Sequence, residues 1–127
     1  MATNQKNMVA EVNAALEVYV HEVQIACDEA AKEAADKTMR ELKATSPKRK
    51  RGKSAGYSRG WKVKRKEESG LKSFIVYNNK LPGLTHLLEY GHAKVGGGGR
   101  TEANPHIKDA ADSGEQFFVQ EVKRRLR

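Results

Sequence analysis

The chain has 127 residues, 38% hydrophobic and 6% aromatic, with 31% charged residues and a net charge of +8. That is about one domain with a single modest core. No apolar run approaches the roughly 20 residues of a membrane span, and no basic-then-apolar leader opens the chain, so synthesis in the cytosol is expected. A lone Cys27 excludes an internal disulfide and a paired-cysteine zinc site, and reads as a reduced thiol packed in a helix.

The charge is unevenly spread. Residues 1–44 hold five Lys/Arg against eight Asp/Glu, residues 45–66 hold ten against none, and the remainder hold nine against eight. The whole excess sits in one stretch, which divides two kinds of sequence.

Over residues 5–43 there is no Gly or Pro. Val9, Val12, Leu16, Tyr19, Val23, Cys27, Ala30 and Ala34 recur at three- and four-residue spacing, with Glu11, Glu17, Glu22 and Glu29 mostly off that stripe. This predicts a long amphipathic helix over residues 1–45. At 1.5 Å per residue it extends on the order of 55 to 60 Å, more than so small a domain covers, so part of it needs a partner. The alanines of its second half permit close approach of another helix. Thr45-Ser46-Pro47 ends it, since proline disfavours helical geometry in the residue before it.

Residues 46–60 read as a basic mobile loop, rich in Gly, Ser and Lys. Two readings stand side by side: a solvated arm, or a phosphate-contacting segment built on Lys48, Arg49, Lys50, Arg51, Lys53 and Arg59. Tyr57 and Trp61 are interleaved where bases would stack in a single-strand binder. Trp61 also opens the alternating run WKVKRK, which places Trp61 and Val63 on one face and Lys62 and Lys64 on the other, and so predicts a core tryptophan.

Residues 61–103 are expected to form a small antiparallel sheet with a helical turn and a glycine loop. A strand from Trp61, a polar turn over 67–70 and a second strand over 71–77 make a hairpin. Asn78-Asn79 and Pro82-Gly83 mark the next turn. Two strands alone are marginal, and residues 100–103 are the candidate third. Asn104-Pro105 then reads as cap and first position of a helix over 104–127, with Ile107, Ala111, Phe118, Val122 and Leu126 on one side. Gly114 predicts a kink or a late start. The fold class is α+β, with both helices packed on the sheet in one domain over 1–127.

The stretch LLEYGHAKVGGGGR invites chemical readings. Four glycines before Arg100 lack the preceding strand and the following Lys-Ser/Thr of a P-loop. His86 and Glu89 share a helical face, but His86 and His92 are six apart rather than four, against a zinc-hydrolase pattern. No nucleophile elbow supports Ser/His/Asp catalysis, and Cys27 inside a helix is a poor nucleophile. No catalytic, cofactor or metal residue is assigned. Leu84, Leu87, Leu88 and Tyr90 are expected to anchor a short turn to the core, with Glu89 and the histidines holding backbone at its ends.

The segment LTHLLEYGHAKVGGGGRTEANPHIKDA, with GYSRGWKVK and FIVYNNK ahead of it, resembles the tailed-bacteriophage minor tail component family, the HK97-type head-tail joining or tail-completion proteins. The resemblance runs from about Ser46 to the C-terminus, with the long helix matching in position and character. Its motif positions are Tyr57 and Trp61, then Leu84, His86, Leu87, Leu88, Glu89, Tyr90, Gly91 and His92. The loop Gly96, Gly97, Gly98, Gly99 and Arg100 follows, and then Pro105, His106 and Ile107.

The resemblance implies a structural, non-enzymatic virion protein of the phage neck, assembled in the host bacterial cytoplasm, with no cofactor and no membrane association. It implies a homo-oligomeric ring, a hexamer or a dodecamer, between the connector or head-closure protein and the tail tube or tail terminator. Transient contact with phage DNA belongs to the same expectation. The glycine loop is then a flexible docking element that orders on assembly. The alternative from the residues themselves is a small basic nucleic-acid-binding protein.

Overall fold

The computed structural model describes residues 5–48, 51–52, 55–94 and 96–127. Helix α1 spans Gln5–Thr45, a one-turn 3-10 helix spans Tyr57–Gly60, and strands β1 (Trp61–Glu68) and β2 (Leu71–Asn78) follow. Helix α2 is Leu84–Tyr90 and helix α3 is Ile107–Arg125. The fold is α+β: a long N-terminal helix, a C-terminal helix and a two-stranded antiparallel sheet.

Helix α1 runs unbroken for 41 residues, about 60 Å at 1.5 Å each. Its C-terminal half carries the core. Ala26, Ala30, Ala34 and Ala35 are buried, and their small side chains let α3 approach closely. Gly114 of α3 is buried at this crossing, where a Cβ would collide with Thr38 Oγ1. Gly114 therefore neither kinks α3 nor starts it; the helix is continuous, and the glycine makes room for α1. Arg125 clamps the far end, its guanidinium donating to Glu29 at 2.5 Å and Glu33 at 2.6 Å.

The hairpin is in register from Trp61 opposite Asn78 to Glu68 opposite Leu71. Its turn is tighter than the expected four residues: Ser69 and Gly70 alone form it, both at positive φ, as a two-residue turn matched to strand twist requires. Trp61 and Val63 face α1 with Val76 and Phe74, while Lys62, Lys64 and Lys66 point away. Leu42, Tyr57, Trp61 and Ala110 form the centre of the core, with Met39, Val76, Leu81, Leu84, Leu88 and Ile107 around it.

Three further expectations need correction. Residues 100–103 add no third strand. Arg100 makes one isolated bridge to Ala93, Thr101 N donates to His92 O at 2.8 Å, and Lys94 N donates to Gly99 O at 2.7 Å. The glycine run bends this segment back on itself, and Asn104 N is taken by Leu88 O, so no row of free groups is left to pair with β2.

Helix α3 does not begin at Asn104-Pro105. His106 is its N-cap, at φ −146°, and Asn104-Pro105 lead into it non-helically, in keeping with proline's effect on the preceding residue. Finally, Tyr90 is no core anchor. It is 66% exposed and lies against His86, ring centroids 4.9 Å apart, and Leu87 sits at the rim, leaving the anchoring to Leu84 and Leu88.

Candidate functional site

Four of the motif residues, Tyr57, Trp61, Glu89 and His106, converge on one buried polar cluster that joins the elements. Tyr57, Trp61 and His106 meet edge-to-face, with centroids 5.5 to 6.3 Å apart. Each ring's polar atom has a partner, as burial demands. Trp61 Nε1 donates to Ser46 Oγ just past the end of α1 (2.8 Å), and His106 Nδ1 lies 2.7 Å from Asn104 O. Because a carbonyl only accepts, Nδ1 carries a proton, and Nε2 lies 2.8 Å from the Tyr57 hydroxyl. Asn78 closes the other side: its Nδ2 donates to Tyr57 O and its Oδ1 accepts from Leu81 N, both at 2.8 Å.

Glu89 is the charged member. Its Oε1 accepts from His106 N (2.7 Å) and Ile107 N (2.9 Å), and its Oε2 from Lys108 N (2.9 Å). These are the first amides of α3, which have no partner within the helix. A carboxylate on α2 thus caps α3 in trans, at the end where the helix dipole favours negative charge. Burial pushes the Glu89 carboxyl up, but the three amides and nearby His106 outweigh it, and its pKa lies below the ordinary 4.5. The same burial, with the Glu89 charge beside it, pushes the Tyr57 hydroxyl up to about 12.

The other histidines are elsewhere. His86 is exposed against Tyr90, and His92 Nδ1 is 3.1 Å from Thr101 Oγ1 in the glycine loop. Although His86 and Glu89 share the spacing of one helical face, one faces solvent and the other is only 7% exposed. Among the described residues, no three His, Cys, Asp or Glu side chains are grouped to hold a metal ion. Gly91, at φ 73° and ψ 171°, lets the chain leave α2 so close to Thr101 that a Cβ would sit 2.6 Å from its carbonyl oxygen. Arg100 Nη2 donates to Gly91 O at 3.2 Å, and Gly96 to Gly99 are exposed beyond it. Pro105 is exposed in the lead-in to α3.

Of the basic residues, Lys48 folds back to donate to Ala44 O (2.8 Å), using a free carbonyl at the end of α1, and Arg51 and Arg59 are exposed. Arg49, Lys50 and Lys53 lie outside the described residues. Lys62, Lys64 and Lys66 form a second basic row on the outer face of β1. Among the described residues, the exposed large apolar side chains concentrate on α1, where every residue from Gln5 to Glu22 is exposed, Met8, Val9, Val12, Leu16, Tyr19 and Val20 included.

Ser46 and Asn78 were not singled out from sequence. The signal for Ser46 was its place immediately before a helix-ending proline. In the sequence Asn78 reads only as a turn residue, and its burial depends on Gly60, where a Cβ would be 2.5 Å from Asn78 Oδ1.

No curated protein and no solved structure matches the chain. A family model does, over residues 10–91, and its description is "Bacteriophage HK97-gp10, putative tail-component". The match takes in most of α1, the basic stretch, the hairpin and α2. It thus reaches further toward the N-terminus than the motif resemblance and stops before the glycine loop and α3. The chain belongs to the HK97-gp10-like family of bacteriophage tail components.

Proposed function

We propose that this tail component is a ring-forming tail-completion or head-tail joining protein, linking the connector to the tail tube in the phage neck. The observation that carries the reading is the N-terminal half of α1. A helix of 41 residues on a body that covers only its second half leaves a stripe of large apolar side chains in water. Contiguous exposure of that kind marks an interaction surface. A ring subunit has such a surface covered by its neighbour.

Its partners in this reading are copies of itself, in a hexamer or a dodecamer, with the head-closure side on one face and the tube or terminator on the other. It acts without catalysis. Residues 48–53 and the glycine loop 96–100 are the segments that dock on the adjoining rings, with transient DNA contact restricted to exposed lysines and arginines. Base stacking has no support, because Tyr57 and Trp61 are 1% and 3% exposed and both are hydrogen-bonded inside the core.

The test is genetic and structural. Removing the coding sequence from the phage that carries it is expected to yield filled heads and free tails that do not join, and cryo-electron microscopy of whole particles to find the protein in the neck. Complementation with a chain lacking residues 48–53 is expected to supply a folded protein that joins heads to tails poorly. Normal joining without the protein, or its location along the tail shaft, overturns the reading.

A further inference from the structure

We propose that the N-terminal half of α1 lies across the outer face of the β1–β2 hairpin of a second copy of this chain. Each subunit then donates a helix on one side and receives one on the other. The proposal rests on the ring reading and names the two surfaces that would build the ring.

Three observations point to this occupant. The first is chemistry. The stripe Met8, Val12, Leu16 and Tyr19 carries Glu11 and Glu22 along one side, at 3.6 residues per turn. The hairpin's outer face sets exposed Ile75 and Tyr77 on β2 beside Lys64 and Lys62 on β1, with Lys66 paired to Glu68 (2.9 Å) at the turn end. An apolar stripe edged with acid meets an apolar strip edged with base. Opposite potentials of this kind fix register and suppress wrong pairings.

The second is size. Residues 5–22 of α1 are about 27 Å long, and an eight-residue hairpin is about 26 Å long.

The third is topology. The same hairpin already packs its inner face on α1, with Gln24 Nε2 donating to Gly70 O at 2.8 Å and Lys72 paired to Asp28 at 4.0 Å. Helix α1 continues past that contact without a break, so it cannot turn back to the outer face of its own hairpin. The contact must be made between molecules. Because the two surfaces differ, it is heterologous, and repetition closes a ring when the rotation allows. Pairing two α1 stripes with each other would instead bring their flanking glutamates together.

The test uses chains carrying Cys27→Ser, so that introduced thiols are the only ones. Leu16→Cys in one preparation and Ile75→Cys in another are joined by a flexible bis-maleimide, whose reach tolerates small shifts in register. The expected result is a covalent dimer only when the two are mixed, and a ladder of higher multimers from the chain carrying both. Reversing charge with Lys62→Glu and Lys64→Glu is expected to weaken self-association by tenfold or more, and Glu11→Lys and Glu22→Lys in the same chain to restore it.

If Leu16→Cys alone couples to itself, an α1–α1 pair is the occupant and the proposal falls. If multimers form without coupling in the mixture and without response to charge reversal, a different interface builds the ring and only this proposal falls. A chain that sediments as a monomer up to millimolar concentration overturns the ring reading as well. All substituted sites except Cys27 are exposed, and circular dichroism checks that the variants are folded.

Discussion

Replacing Glu89 with alanine tests the polar cluster most directly. One carboxylate accepts three amide hydrogen bonds at 2.7, 2.9 and 2.9 Å, all from the first turn of α3. Bonds to a charged group are worth about 1.5 to 3 kcal/mol each, but three donors sharing one acceptor do not add fully, and water re-satisfies part of what truncation exposes. The expected loss is about 3 to 5 kcal/mol, the range for removing one partner from a buried charged arrangement. Against a total of about 5 to 15 kcal/mol for a domain, that leaves α3 poorly held. Glu89→Gln keeps the shape but turns an amide group toward Lys108 N–H, and is expected to lose about 1.5 to 3 kcal/mol.

The pH dependence separates charge from shape. The folded carboxyl has a pKa below its ordinary value of 4.5. Its stabilising contribution is therefore complete above that value and disappears as pH falls through the depressed one. The stability gap between wild type and Glu89→Gln should shrink between neutral pH and about pH 3. Urea unfolding followed by the fluorescence of Trp61, which lies in the same cluster, measures both effects. A loss below about 1 kcal/mol for Glu89→Ala, or a gap that stays constant on acidification, would refute the capping argument.

Trp61→Ala is expected to destabilise the fold by about 3 to 5 kcal/mol, since it empties the core and leaves Ser46 without its donor; a variant that melts with wild type would remove Trp61 from the core. Gly91→Ala should cost about 1 to 3 kcal/mol, because φ 73°, ψ 171° is nearly closed to alanine and its methyl meets the Thr101 carbonyl. An unchanged melting temperature would show that the loop gives way. Gly114→Ala should destabilise the α1–α3 crossing by about 1 to 3 kcal/mol despite a helix-propensity gain of about 1 kcal/mol. Adding Thr38→Ala, which removes the obstructing hydroxyl, should recover most of the loss in a double-mutant cycle, and additive losses would place the strain elsewhere.

The long helix, the hairpin and the buried tryptophan were legible because each rests on a period: three- and four-residue spacing over α1, alternation over WKVKRK. The third strand was a demand of sheet stability rather than a pattern in residues 100–103, and a glycine run that returns on His92 and Lys94 meets the hydrogen-bonding need locally. The start of α3 was misplaced because Asn104-Pro105 is a good local cap, whereas the observed cap comes from Glu89, seventeen residues before His106 in sequence. Local rules cannot see a cap supplied by another helix. Gly114 was read for its propensity, and its use is in packing, which depends on Ala34 and Thr38 of α1.

These assignments divide the chain's residues by what they can reveal about assembly. Tyr57, Asn78, Glu89 and His106 are buried and hydrogen-bonded to one another, and buried Trp61 packs edge-on against Tyr57 and His106, so substituting any of them reaches a partner only through the stability of the fold. The residues of α1 before Glu22 touch little of the body and are exposed, so substituting them leaves the fold in place. A variant such as Leu16→Asp should therefore unfold with wild type and yet fail to assemble, whereas Glu89→Ala should lose both together. If Leu16→Asp assembles normally, the uncovered stripe is not the surface that neighbours use, and the length of α1 needs another explanation.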